Sequence, residues 1–109
     1  LVLIRKAVVW VDFGYNIGTE FGGRHPAIIL KNLKDSLIVI PLSSQEPKSM
    51  DYNVKVGKVY GYPLMPRWVN VTRITQVSLS RVHFEKIGDV KPCILNQISE
   101  KLKNCGIII

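Results

Sequence analysis

Short runs of β-branched and aromatic residues fill the first two thirds of this 109-residue chain, and glycine or proline interrupts them every few positions. Such runs are typical of β-strands, because branched and aromatic side chains pack well on a pleated surface. The runs that predict strands are Ala7–Phe13, Ala27–Leu30, Ser36–Leu42, Tyr52–Val56 and Val69–Val77. The proline-containing stretch 59–68 is at best an edge strand, because proline has no N–H to donate to a neighbouring strand.

One helical pattern follows these runs. Apolar residues within Pro92–Lys103 recur at one-face helical spacing, Pro92 suits a first helical turn, and Gly106 suits the end of a helix. Short strands followed by a single helix predict one domain over residues 1–109. We expect a mainly β fold with one C-terminal helix, which packs at the side of a small, partly open barrel.

The chain carries 15 lysine and arginine residues against 8 aspartate and glutamate residues, a formal net charge of +7. A small fold with this excess favours a polyanionic partner. No apolar run approaches the roughly 18 residues that a membrane-spanning helix needs, so we expect no membrane contact. The two cysteines fit neither a disulfide framework nor a metal-ligand pattern. We therefore expect a cytoplasmic protein with reduced thiols, no metal and no other cofactor.

A stretch without periodicity, Gly14–His25, contains four glycines and predicts a long functional loop. His25 precedes one strand of the predicted hairpin and Ser43 follows its partner strand, positions that meet at one rim of an antiparallel sheet. The side chains that we expect at this rim are Glu20, Arg24, His25, Ser43, Ser44 and Gln45. Neither a P-loop nor a serine-hydrolase motif is supported there, because the glycines and serines lack the flanking residues that those motifs require.

The most specific segments are Gly18–Glu20 and Gly23–Leu30, and further support comes from Val8–Phe13, Ile40–Gln45, Thr72–Val77, Ser80–Val82 and Ile87–Gly88. Together these segments resemble the PemK/MazF-type toxins of bacterial toxin–antitoxin systems. The resemblance implies a small SH3-like barrel of the CcdB and PemK type, a homodimer, and sequence-specific, metal-independent cleavage of single-stranded mRNA that inhibits growth. It also implies a cognate antitoxin that neutralises the toxin, with DNA contacted only through the toxin–antitoxin complex.

The sequence departs from this family at three positions of the resemblance. His25 takes the slot before Pro26 where many relatives have arginine, and Arg24 precedes it. Ser43 stands where threonine is frequent, and Arg73 stands where glutamine is frequent. The order of Arg24 and His25 leaves open which of the two contacts the scissile phosphate.

Cleavage of RNA without a metal uses the neighbouring 2′-hydroxyl as nucleophile and leaves a 2′,3′-cyclic phosphate. This route needs a base, an acid, and donors for the charge that grows on the phosphoryl oxygens. His25 can act as base or acid near neutral pH, and Arg24 offers a fork of donors to phosphate. Glu20 can orient or assist this pair, and Ser43 can donate to a phosphate oxygen.

The RNA-binding candidates are Tyr15, Ser44, Gln45, Thr72 and Arg73. Tyr15 in the glycine-rich loop is the best candidate for stacking on a base, with Tyr60, Tyr62 and Trp68 as others, whereas Trp10 is read as core. Arg73 either faces RNA or covers an apolar strand face with its stem.

Structural interpretations stand beside these chemical ones: His25 can cap a strand, Glu20 can simply pair with Arg24, and the serines can cap turns. The alternative function is a non-catalytic barrel that binds nucleic acid without cutting it, or that poisons a protein target such as DNA gyrase. A third interpretation is a specialised or decayed copy, given the Arg24–His25 order.

Overall fold

The computed structural model describes residues 7–14, 23–57, 59 and 61–107, with the backbone alone for residues 85–87. Its strands are β1 (Ala7–Asp12), β2 (Arg24–Asn32), β3 (Ser36–Pro41), β4 (Asn53–Lys55), β5 (Trp68–Asn70), β6 (Thr75–Ser78) and β7 (Val82–Asp89). Short 3-10 turns cover Val71–Arg73 and Leu79–Arg81, and the helix α1 (Pro92–Asn104) follows β7.

Five of the strands form an antiparallel sheet in the order β6-β3-β2-β1-β7, and β4 pairs with β5 in a second, two-stranded sheet. The chain joins the two sheets just after β3. There Ser43 and Trp68 exchange two backbone hydrogen bonds, each 2.8 Å from nitrogen to oxygen. This bridge draws the two-stranded sheet against the end of the β2–β3 hairpin.

Side chains that alternate along the strands bury both faces of the larger sheet. On one face, Val8, Ile28 and Ile40 pack with the small sheet and with Ile98 of α1, and we call this cluster the first core. On the other face, Val9, Val11, Ala27, Ile29 and Val39 form the second core. Strands buried on both faces explain why the sequence shows continuous apolar runs rather than strict alternation.

The predicted fold class is confirmed: the chain is mainly β, with a half-open sheet and one C-terminal helix. The hairpin and the helix lie where the apolar periodicity predicts them, and Gly106 adopts a φ of 76° just after α1. No helix in the described ranges combines the length and the apolar character that crossing a membrane requires.

The prediction of one strand over Val69–Val77 is wrong. The Asn70 side-chain oxygen accepts hydrogen bonds from the backbone N–H and the hydroxyl of Thr72, at 2.9 and 2.6 Å, and so caps a 3-10 turn that separates β5 from β6. The strand β7 was not predicted, because its sequence VHFEKIGD has no continuous apolar run. It forms because β1 offers it an antiparallel partner, with a register shift between Val9 and Trp10.

Candidate functional site

A groove of about 480 Å³ opens at the end of the β2–β3 hairpin, and we call it the rim groove. The backbone N–H of Leu42 donates to the carbonyl of Pro26 at 2.9 Å, which extends the hairpin pairing to the groove's edge. The described residues that line it are Trp10, Arg24, His25, Pro26, Leu42, Ser43, Ser44, Gln45, Pro63, Met65 and Arg67. Five predicted site residues therefore border one groove, as the hairpin geometry predicts.

Arg24 and His25 are strand residues, not loop residues as predicted. They are the first two residues of β2 and pair with Asp12 and Val11 of β1. Because successive side chains of a strand point to opposite faces, Arg24 and His25 diverge. The strand β2 thus begins at Arg24, three residues before the predicted start at Ala27.

Two cross-strand aromatic contacts show this divergence. The guanidinium carbon of Arg24 lies 5.3 Å from the ring centroid of Trp10, which packs against the first core. The ring centroids of His25 and Phe13 lie 6.3 Å apart, and Phe13 packs against the second core. Both residues still line the rim groove, with the guanidinium against Trp10 and the imidazole towards Phe13, so a ligand strand that crosses this end of β2 can reach both.

Ser43 is held at its backbone and keeps its hydroxyl proton for donation. Its backbone N–H and carbonyl are both engaged by Trp68. Its hydroxyl oxygen accepts a hydrogen bond from the N–H of Gln45 at 3.1 Å. A hydroxyl that accepts one bond still has a donor to offer, so half-buried Ser43 can donate into the groove.

Two glycines close the connection between β1 and β2. The N–H of Phe13 donates to the Gly23 carbonyl at 2.8 Å, and the N–H of Gly23 donates to the Gly14 carbonyl at 2.7 Å. Gly14 and Gly23 have φ values of 72° and 77°, a left-handed conformation that favours glycine. Tyr15 and Glu20 lie outside the described residues, so their predicted roles stay predictions.

A family model for the PemK-like, MazF-like toxins of type II toxin–antitoxin systems matches residues 4–105. The chain belongs to this family. Comparison with curated proteins found no match.

Solved structures of this toxin type share the fold. The chain is similar to a mycobacterial endoribonuclease in complex with its cognate antitoxin, with a TM-score of 0.73, 20% identity and 99% coverage of both chains. It is also similar to MazF from Deinococcus radiodurans, with a TM-score of 0.76, 19% identity and 96% coverage of both chains. A MazE–MazF structure from the same organism gives a TM-score of 0.70 and 18% identity over 99% of both chains.

In this PemK-family chain, Arg73 lies in the 3-10 turn after β5 and not on a strand face as predicted. It lines a separate polar cavity of about 470 Å³, which shares Ser43 and Gln45 with the rim groove. Thr72 is exposed and lines neither cavity. The structure therefore places Arg73 next to the rim groove, on the far side of Ser43.

Two predicted stacking residues are buried. Tyr62 is 5% exposed, with its hydroxyl donating to the Val8 carbonyl at 3.3 Å and its ring 5.4 Å from that of Trp10. Burial raises the pKa of Tyr62 to about 12, against the opposing effect of Arg67 and then Arg24. Trp68 is 8% exposed, so neither ring has a free face for a base. Tyr60 is outside the described residues.

Sequence reasoning missed Arg67, which lines the rim groove although it is only 5% exposed. Burial lowers the pKa of its guanidinium, and the nearby Tyr62 opposes that shift. The available signal was that Arg67 is the single cation in the otherwise apolar, proline-containing stretch 62–68, which was considered only as a possible edge strand.

The described residues contain no group of three or more histidine, cysteine, aspartate or glutamate side chains that could hold a metal ion. A larger cavity of about 640 Å³ has none of the predicted site residues in its described lining, which is Val56, Gly57, Val59, Leu64, Asp89, Lys91, Cys93 and Ile94. The chemistry suggested by the side chains is therefore concentrated at the smaller rim groove, and we assign the candidate site there.

Proposed function

We propose that this chain is a toxin endoribonuclease that cleaves single-stranded mRNA at a particular sequence and is neutralised by a cognate antitoxin. The observation that carries the proposal is the rim groove, where Arg24, His25 and Ser43 supply a guanidinium, an imidazole and a hydroxyl at one site. Membership of the PemK-like toxin family over residues 4–105 supports it. So does the likeness to a mycobacterial endoribonuclease.

The proposed reaction needs no group beyond RNA and the protein. A base removes the proton of the 2′-hydroxyl, the 2′-oxygen bonds to phosphorus, and the bond from phosphorus to the 5′-oxygen breaks. An acid returns a proton to that 5′-oxygen, so the products are a 2′,3′-cyclic phosphate and a 5′-hydroxyl. His25 is the only imidazole among the described groove residues, and it serves as one of these two proton carriers.

Arg24 and Ser43 stabilise the transition state in this proposal. The charge that grows on the non-bridging phosphoryl oxygens accepts hydrogen bonds from the guanidinium and from the Ser43 hydroxyl. Glu20 is proposed as the second proton carrier or as the residue that orients His25. Ser44, Gln45, Arg73, Thr72 and Tyr15 are proposed to bind RNA away from the reacting atoms.

We further propose that the chain acts in the cytoplasm as a homodimer and that its antitoxin competes with RNA. The net charge of +7 and the absence of any carboxylate among the described residues of the rim groove favour an acidic, extended antitoxin segment. DNA is reached only through the toxin–antitoxin complex. Two relatives of the same fold are structures of a toxin with its antitoxin.

The test is cleavage of a long single-stranded RNA by the purified protein in the presence of EDTA. Discrete fragments with cyclic phosphate ends are expected, and His25→Ala or Arg24→Ala should abolish them while the protein stays folded. His83→Ala is the matched control, because His83 is a half-buried histidine on β7 that does not line the rim groove. Intact RNA together with inhibited DNA supercoiling would instead support a gyrase poison and refute the proposal.

A further inference from the structure

Arg67 is a buried cation that has almost no hydrogen-bond partners in the part of the chain that the structure describes. Its side chain is 5% exposed, and its Nη2 donates to the Pro63 carbonyl at the long distance of 3.4 Å. Its Nε is buried and has no hydrogen-bond partner among the described residues. A guanidinium has five N–H donors, and burying one without an acceptor is unfavourable. The arrangement is therefore suited to an acceptor that a ligand brings.

The surroundings of Arg67 favour an anionic ligand. The described residues lining the rim groove include Arg67, Arg24 and His25, and no aspartate or glutamate. The guanidinium carbon of Arg67 lies 5.9 Å from the centroid of Tyr62, and that of Arg24 lies 5.3 Å from the centroid of Trp10. The two rings contact each other, with centroids 5.4 Å apart. Each cation thus lies against a different ring of one aromatic pair.

The backbone holds Arg67 in place before any ligand binds. Its carbonyl accepts hydrogen bonds from the N–H groups of Val56 at 2.8 Å and Gly57 at 3.3 Å. The next residue, Trp68, is the one that exchanges two backbone bonds with Ser43. Arg67 therefore lies immediately before β5, the strand whose Trp68 holds the Ser43 backbone. A donor on a backbone that is already fixed loses little conformational freedom on binding.

We propose that Arg67 binds a phosphate of the RNA strand next to the scissile phosphate, as a second guanidinium in the rim groove beside Arg24. This inference rests on the proposed function, because it assigns the anion to the RNA substrate. Arg67 is not one of the residues on which the resemblance to PemK/MazF-type toxins is based. The proposed contact extends the substrate-binding surface from the hairpin rim to the proline-containing segment just before β5.

The experiment measures binding of an RNA that cannot be cut because the ribose at the cleavage site is 2′-deoxy. Arg67→Met should weaken binding about 10- to 100-fold, as expected for the loss of a hydrogen-bonded charge contact. Its slope of log affinity against log salt should fall by about 0.7, the value for one phosphate contact on a single strand. Lys103→Met on the exposed face of α1 removes the same charge, and it should change neither quantity.

Replacing single phosphates of the same RNA by neutral methylphosphonates gives a second, independent measurement. One neutral position flanking the cleavage site should weaken binding to the wild-type protein, and the same position should weaken binding to Arg67→Lys by a smaller factor, because lysine keeps the charge but loses the fork. Because this comparison uses Arg67→Lys, it still tests the phosphate contact if Arg67→Met fails to fold. In cleavage assays, KM should rise while kcat changes little, whereas a proton carrier such as His25 is expected to change kcat.

The outcomes separate this inference from the proposed function. Cleavage by the wild type, with unchanged affinity, salt slope and methylphosphonate pattern in the folded Arg67 variants, overturns the inference and leaves the nuclease standing. RNA that binds through Arg67 and is never cut refutes the nuclease and retains the phosphate contact. Poly-glutamate can be added as a competitor of RNA for the wild type and for Arg67→Met. If Arg67→Met binds RNA as the wild type does but is no longer affected by poly-glutamate, Arg67 binds a protein carboxylate and the inference is overturned.

Discussion

Ser43→Ala tests whether the hydroxyl in the rim groove acts in chemistry or only in the local turn. The substitution leaves both backbone bonds to Trp68 in place and removes one bond from the exposed Gln45 N–H, which water can replace. The free energy of unfolding should therefore fall by no more than about 1 kcal/mol. Loss of a donor to the transition state should instead lower kcat roughly 100- to 1,000-fold.

The assay pairs single-turnover cleavage of a long single-stranded RNA with urea unfolding of each variant. Ser78→Ala is the matched control, because the Ser78 hydroxyl accepts a similar bond from the N–H two residues on, at 3.3 Å, and does not line the rim groove. Ser43→Thr keeps the donor and should retain activity. Full activity in Ser43→Ala, or equal losses in Ser43→Ala and Ser78→Ala, would refute the reasoning.

Two further predictions concern stability. Burial raises the pKa of Tyr62 to about 12 in the folded protein, above its ordinary value of 10.0. The contribution of neutral Tyr62 to the free energy of unfolding is therefore complete below pH 10 and is lost as the pH rises towards 12. In urea unfolding, the free energy of unfolding should fall by at most about 3 kcal/mol over this alkaline range. Tyr62→Phe should reduce this fall, whereas Tyr52→Phe, which changes an exposed ring, is the control and should not. Gly14→Ala and Gly23→Ala should each cost about 1–2 kcal/mol, because both positions have positive φ. The Cβ of Gly14→Ala would lie 2.8 Å from Nη1 of Arg81, which is the end of an exposed side chain that can move aside, and a Cβ at Gly23 would meet no described atom within 4 Å. The two costs should therefore be similar, and unchanged melting temperatures in both variants would contradict the reasoning.

Local patterns in the sequence were sufficient for the elements with strong apolar periodicity. The β2–β3 hairpin and α1 carry their own signals, and the antiparallel pairing of the hairpin was enough to bring His25 and Ser43 to one rim. The groove's hairpin side was therefore predictable, because it depends on two strands that are adjacent in sequence.

Features that depend on tertiary partners were not predictable in this way. The strand β7 forms only because β1 is available at the edge of the sheet. The 3-10 turn after β5 depends on one capping side chain, Asn70. Arg67 lines the groove with its guanidinium against the ring of Tyr62, which in turn contacts Trp10 of β1, and no local periodicity encodes this packing.

The divergence of Arg24 and His25 along β2 has a consequence for how such a toxin can change during evolution. Exchanging the two residues would bring a guanidinium beside Phe13 and leave only an imidazole over the indole of Trp10. The exchange would therefore move the positive charge to the opposite side of the sheet rather than restore an equivalent site. We expect the residue at position 24 and the aromatic ring diagonally across from it at position 10 to vary together among relatives.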